Sequence, residues 1–350
     1  MTKIKKITSY GLFLPILCLI LVLLINVIKT PTFFEVSIKN GVLYGYIIDV
    51  INRASELVIL AVGMTLVVAS SGGTDISVGA VMSVAAAICC FVLAAGEQTI
   101  NAYQNPYILG IIIALVIGVV CGCWNGFLVA KMKIQPMVAT LILFTAGRGI
   151  AQLITKGQIT YIRVENYKLL GGNIPGIPLP TTIFVVVIVV VLANLILKKT
   201  ALGLYIQSVG INSKASRVVG LKSSRIIFLT YAFCGLCAGI AGLMASSRIY
   251  SADANNIGLN MELDAILAVA LGGNSLSGGK FSILGSVIGA YTIQALTTTL
   301  YAMSVSADQL PVYKAIVVVI IVSLQSKEFN KMVRGLKAKL KDGKEREKVA

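Results

Sequence analysis

The sequence predicts an all-α, polytopic membrane protein with about ten transmembrane helices, and three observations predict it. Apolar side chains make up 57% of the 350 residues and charged ones 13%, about half the charged share of a soluble domain. The apolar residues collect in runs separated by short polar links, and a helix of ~20 such residues crosses ~30 Å of hydrocarbon. Charges inside or at the edges of the runs are few: Asp75, Arg148, Glu262 and Asp264. A soluble enzyme, a secreted disulfide scaffold and a disordered tail are thereby excluded.

Lys3, Lys5 and Lys6 precede the first run, Tyr10 to Ile28, and Lys29-Thr30-Pro31 offers no small-residue cleavage site after it. The run therefore reads as a retained span, not a signal peptide. Leu57 to Ala69, Val78 to Ala95, Ile108 to Ala130 and Met137 to Ile154 complete the first half. Thr181 to Leu197, Ile226 to Ala245, Glu262 to Leu271, Ile283 to Met303 and Pro311 to Leu324 form the second. The expected domains are an N-terminal segment over 1–9, a ten-span domain over 10–324 containing a long link over 198–225, and a basic tail over 325–350.

Ten crossings put both termini on one side, where the ends and alternate links hold 21 of the 30 Lys and Arg residues. Positive residues stay inside, so both termini are expected on the cytoplasmic side. The net charge of +16 is thus a topology signal; scattered between spans, it forms no stripe for nucleic acid.

The fourth span carries Gly110, Ala114, Gly118, Gly122 and Gly126, each four apart and hence on one helical face that calls for another helix. Gly235/Gly239 and Gly285/Gly289 repeat the spacing. The second and eighth spans read as short and end in the glycine loops Gly72 to Gly79 and Gly272 to Gly279, a pairing that marks a pathway in transporters. Ile108-Leu109-Gly110 and Pro136 match Ile283-Leu284-Gly285 and Pro311 at a constant offset, which predicts an inverted repeat of spans 2–5 and 7–10. The glycine loops do not fit that alignment, and both correspondences stand open.

Catalysis and cofactor binding find no support. Without histidine a Ser/His/Asp triad cannot form, and the seven cysteines, Cys234-Gly-Leu-Cys237 included, lie in apolar runs where small residues let helices approach. Gly273 to Phe281 resembles a phosphate loop, but its glycines precede Lys280 out of register and Phe281 stands where Ser or Thr would hold magnesium. The chain by itself is not expected to bind ATP. One tryptophan, Trp124, and 7% aromatics argue against a tight sugar-stacking pocket, yet suit a path that passes cargo selected elsewhere.

The costly in-span charges are the candidate path residues, joined by the polar Ser77 and by Asn125, beside Trp124. Asp75 either lines the path or caps the next helix; Glu262 and Asp264 either line it or sit at a membrane interface; Arg148, eleven residues into its span, has a path or structural-pair role. In the long link Asn212 can cap a short helix, Ala215, Val218 and Val219 share one face, and Gly220 supplies a left-handed stop. Such a helix fits a soluble partner's groove or lies on anionic lipid headgroups.

Gly72 to Gly79, Thr200-Ala-Leu-Gly203 through Gly210-Ile-Asn212 to Gly220, and Gly272-Gly273 with Gly278-Gly279 resemble the permease subunits of bacterial ABC sugar importers of the ribose/galactose type. Lys133 to Ile142, Ala146 to Ile154 and Ala252 to Asn256 are most similar to its galactofuranose branch, and the likeness spans Tyr44 to Gln325. It implies a place in the bacterial inner membrane, a cytoplasmic ABC ATPase that alone binds ATP, a second permease subunit of the same or a different kind, an extracytoplasmic sugar-binding protein and a monosaccharide cargo. It also implies ATPase contact through Lys198 to Arg225, and a path mouth or binding-protein contact at Asn255 and Asn256. The rival reading is an ion-coupled secondary sugar transporter, for which Asp75 and Arg148 are the midplane candidates and no histidine relay exists.

Overall fold

The computed structural model describes residues 12–39 and 41–325, so the segment 1–9 and the tail beyond Gln325 lie outside the described residues. Helix α1 (Phe13–Lys29), a 3-10 turn (Pro31–Phe34) and a hairpin of β1 (Ser37–Lys39) and β2 (Val42–Tyr44) lead into α2 (Tyr46–Ser71). Next come α3 (Val78–Ala94), β3 (Thr99–Ile100), α4 (Tyr107–Ala130), α5 (Pro136–Ile154), β4 (Thr160–Ile162), a second 3-10 turn (Glu165–Leu169) and α6 (Thr181–Lys199). The long link folds as α7 (Leu202–Ile211) and α8 (Ser213–Val218). It is followed by α9 (Ser223–Ile249), β5 (Ser251–Ala252), α10 (Met261–Leu271), α11 (Ile283–Ala302) and α12 (Leu310–Gln325). β4 pairs with β3 in parallel and with β5 antiparallel, tying three loops together at the end of the bundle opposite the link. These are called the far end and the link end.

Among the described residues α2, α4, α5, α6, α9 and α11 are the six helices long and apolar enough to cross a membrane. The remaining predicted spans fold as the shorter helices α1, α3, α10 and α12. The 11-residue α10 rises only ~16 Å, about half the hydrocarbon layer. The second span, expected to be short, is instead the 26-residue α2, which corrects the pairing of two short spans. Hydropathy falls over Asp49 to Glu56 because this stretch is polar, yet the helix persists because its polar groups find partners. Ser55 Oγ donates to the Ile51 carbonyl at 2.9 Å, Thr182 Oγ1 donates to Asn52 Oδ1 at 2.8 Å, and Glu56 pairs with Arg248.

α2 and α9 form the centre. They run antiparallel: Ser70 Oγ lies 2.7 Å from Thr230 Oγ1 near the link end, and the Glu56–Arg248 pair closes the far end. α2 is buried over nearly all of its apolar length, whereas α6 is exposed over most of its own, so α2 is core and α6 stands at the periphery of the bundle. The ladder on α4 meets α9: a methyl added to Gly118 would stand 2.6 Å from the Gly235 carbonyl oxygen, and one on Gly122 would overlap the Tyr231 carbonyl. Cys234 and Cys237 flank Gly63 of α2, with an added Gly63 Cβ 3.0 Å from Cys234 Cα, which is the small-residue packing their setting implies.

Packing around this centre is paired. α4 on α9 answers α11 on α2, and α3 on α9 answers α10 on α2. Likewise α3–α4 answers α10–α11, and α3–α5 answers α10–α12. Since α2 and α9 point in opposite directions, the exchange is an inverted one, with the partners implied by the offset between Ile108 and Ile283. The glycine loops are not exchanged by it. They pack on each other: a Cβ on Gly72 would stand 3.0 Å from the Ser277 oxygen, and Gly279 N donates to the Ala69 carbonyl at 2.9 Å. Their likeness therefore reflects a shared contact at the link end.

Candidate functional site

At the far end the outer halves of α2, α9, α10 and α11 enclose a cavity of about 600 Å³. Tyr46, Asp49, Arg53 and Glu56 reach it from α2 and Gln294, Thr297, Thr298 and Tyr301 from α11; each set recurs every three or four residues, so each is one helical stripe. Arg248, Asn256 and Asp264 complete the polar lining. A second cavity of about 650 Å³, bounded by Thr32, Glu35 and Ser37, shares Tyr46 and Asp49 with the first and forms its antechamber. Tyr46 is held by stacking on Phe33, with ring centroids 5.6 Å apart.

The charges here balance. Glu56 pairs with Arg248, Asp264 accepts from Lys314 Nζ at 2.8 and 3.1 Å, and Asp49 and Arg53 stand one turn apart on α2. Three acidic lining groups, Asp49, Glu56 and Asp264, meet two basic ones, Arg53 and Arg248, and Lys314, outside the lining, neutralises Asp264, an arrangement that offers hydrogen bonds in both senses without attracting a net ion. It suits an uncharged, polyhydroxylated solute. Asp264 is thus part of an ion pair on the cavity wall, and Asn256 lines the same wall.

The other expected path residues form two separate clusters. Asp75, Ser77 and Asn125 are 2%, 0% and 0% exposed and bind one another. Asp75 Oδ1 accepts from Ser77 N at 2.9 Å and Ser77 Oγ at 2.6 Å, and Asn125 Nδ2 donates to Ser77 Oγ at 2.7 Å. Asp75 so fastens the start of α3 to α4, and none of the three touches the cavity. Arg148 of α5 directs Nη1 at the carbonyls of Ala254, Asn255 and Ile257, at 3.3, 3.1 and 3.1 Å, while Gln152 Nε2 donates to Asn255 Oδ1 at 2.6 Å. These bonds hold the turn that presents Asn256 to the cavity. Glu262 is 3% exposed and lies against Gly79, where any side chain would overlap Oε2 and the Gly258 carbonyl, so it is buried within the protein.

Sequence reasoning missed Asp49, Arg53, Glu56, Arg248, Gln294, Thr297 and Thr298. The signal was present in Asp49, Arg53 and Glu56 at i, i+4 and i+7, a charged stripe just ahead of an apolar run. It was obscured by starting the span at Leu57.

At the link end Asn212 Oδ1 accepts from Lys214 N and Ala215 N at 3.0 Å each, capping α8, and Gly220 takes φ +86° to end it. Val218 and Val219 are 88% and 76% exposed and Ala215 is exposed beside them. The preceding α7, unforeseen from sequence, seats this tip. Gly203 packs where a Cβ would overlap the Leu197 carbonyl, Gly210 where one would overlap that of Ala69, and Thr200 Oγ1 accepts from Leu202 N at 3.2 Å. The loop once resembling a phosphate site is a brace: Asn274 Nδ2 donates to the Val269 carbonyl and Ser286 Oγ, and Ser282 N donates to Asn274 Oδ1.

A multi-pass helical membrane protein with a polar cavity between two inverted halves, and an apolar tip held outside the bundle, is a transport permease. The comparisons with known proteins agree. Residues 46–324 match the family described as branched-chain amino acid transport system / permease component, and the chain belongs to it. It is similar to the galactofuranose transporter permease protein of Escherichia coli, 44% identical over 324 residues that cover 93% of this chain and 92% of that one. The fructose import permease protein of Bifidobacterium longum is 38% identical, covering 96% and 93%, and the ribose import permease protein of Escherichia coli 34% identical, covering 88% and 92%. No solved structure matches the chain.

Proposed function

We propose that this chain is the permease subunit of an ATP-driven importer of a neutral monosaccharide, with both termini and the α7–α8 tip in the cytoplasm. The observation that carries the reading is the charge-balanced cavity of about 600 Å³ at the far end, whose amide, hydroxyl and paired ionic groups suit a sugar and repel neither sign of dipole. The sugar-importing relatives, from galactofuranose to ribose, support the cargo class. An extracytoplasmic binding protein delivers the sugar to the antechamber, a second permease subunit completes the path, and a separate ATPase receives the Ala215, Val218 and Val219 face. The ion-coupled alternative gains nothing: Asp75 and Arg148, its midplane candidates, are engaged in internal hydrogen bonds.

The test is reconstitution in proteoliposomes with candidate ATPase, second permease and binding proteins from the same host. Uptake of galactofuranose, ribose or fructose that requires ATP and the loaded binding protein supports the reading. Uptake by the chain alone, driven by a proton or sodium gradient, overturns it.

A further inference from the structure

Two cavities flank the end of α6 at the link end, and the function proposed above uses neither. One, of about 130 Å³, is walled by Leu66, Ala193, Leu202, Ile206, Ile226 and Phe233 and lies between α2, α6, α7 and α9. An apolar cavity of about this size stays dry and accepts a benzene-sized group, so it has room for about six carbons of a hydrocarbon chain. The other, of about 290 Å³, holds Asn194, Lys198, Gln207 and Ser282. Leu197 belongs to both walls, so the apolar and polar compartments adjoin across one side chain.

The surrounding charge has one sign. Lys199 follows Lys198, Lys280 directly precedes the lining residues Phe281 and Ser282, and Arg225 directly precedes the lining residue Ile226. No acidic residue occurs between Lys198 and Arg225. A greasy slot beside a cationic, hydrogen-bonding recess, at a height where a membrane helix ends in paired lysines, matches a molecule with an acyl chain and an anionic head. We infer that this notch is a binding site for one anionic phospholipid. Its acyl chain occupies the slot under α7 and its phosphate and polar head occupy the recess at Lys198. The lipid would lie along the face of α7 that carries Ile206, Gly203 and Gln207, the side on which Gly210 also meets Ala69 farther along the helix, bracing the helix that carries the α8 tip.

The experiment is native mass spectrometry of the whole chain released from nanodiscs of phosphatidylglycerol or phosphatidylcholine with identical acyl chains. One phosphatidylglycerol retained per chain, and no phosphatidylcholine, is the expected result. Removing one surface charge weakens attraction to an anionic head about fivefold, so Lys198→Gln and Lys280→Gln should each lower retention by about that factor. Both lysines are exposed, and their replacement leaves the fold intact. Ala193→Phe, which fills the slot, should abolish retention, whereas Val120→Phe on the exposed face of α4 should not. Equal retention of the two lipids, retention indifferent to both lysine variants, or displacement of the lipid by soluble glycerol phosphate would each overturn the assignment; the last would make the recess a small-anion site. These readouts require neither ATPase nor sugar, so they stand or fall separately from the transport reading.

Discussion

Replacing Glu56 with glutamine preserves the side chain's shape and removes the charge opposite Arg248. The carboxylate side chain is 9% exposed and the guanidinium 22%, which places the pair between two regimes. Exposed pairs contribute ~0–1 kcal/mol, whereas breaking a buried pair from one side costs ~3–5 kcal/mol because a charge is stranded. Arg248 faces a cavity wide enough for water, and Asp49 and Asp264 share its wall, so the stranded cation is partly rehydrated and Glu56→Gln should cost about 2 kcal/mol. Arg248→Met strands the more buried Glu56, with Arg53 on the same wall as relief, and should cost about 3 kcal/mol. The double variant strands nothing, and its loss should fall about 2 kcal/mol short of the sum. The assay is a double-mutant cycle by reversible unfolding in mixed detergent and dodecyl sulfate. A coupling below ~0.5 kcal/mol, the ordinary scatter of independent sites, would refute the claim that the pair closes the far end of the α2–α9 contact.

Other substitutions test the remaining parts. Ala215→Asp puts a charge on the exposed apolar tip and should abolish ATPase copurification and sugar-stimulated hydrolysis while insertion stays normal, and Lys214→Asp should do much less; equal losses would point to general electrostatic attachment. Gly122→Val forces a side chain onto the Tyr231 carbonyl and should sharply reduce folded protein by fluorescence size exclusion, whereas Gly149→Ala, with nothing within 4 Å, should match the parent. Arg148→Gln, which cannot bridge three carbonyls, should lower uptake per inserted molecule more than Asp75→Asn, which keeps the Oδ1 that accepts from Ser77; the reverse order would restore Asp75 as a charge on the path. On a cysteine-free background, a cysteine at Ser213 should label only from the cytoplasm and one at Asn255 only from outside, and matching sidedness would refute the proposed orientation.

Local physics made several features readable from sequence. The hydrocarbon layer demands apolar helices, so every expected span coincides with a helix as far as it is described. Four-residue spacing puts small side chains on one face, so the Gly110 to Gly126 ladder announced a close partner. Asn212, the apolar residues after it and Gly220 each act within one turn of chain, so α8 could be placed with its cap, face and stop. What lay beyond reach depends on which helices meet. Hydropathy discounts Asp49, Arg53 and Glu56 because it assumes that a polar group in a span is unpaired; Arg248, nearly two hundred residues later, supplies the partner that keeps α2 helical and gives the cavity its wall. Asp264 found its counter-ion only where α12 brought Lys314 to it, and Asp75, Ser77 and Asn125 became one sealed cluster only when α4 packed beside α3. The two glycine loops resemble each other because tertiary contact presses their backbones together with Gly210, a convergence on small residues that alignment cannot distinguish from duplication. Sequence determined the solvent of each segment and the turn-scale devices that begin and end its helices; the tertiary structure decided which charges neutralise which, because a buried charge is tolerable only beside a partner whose position no local pattern encodes.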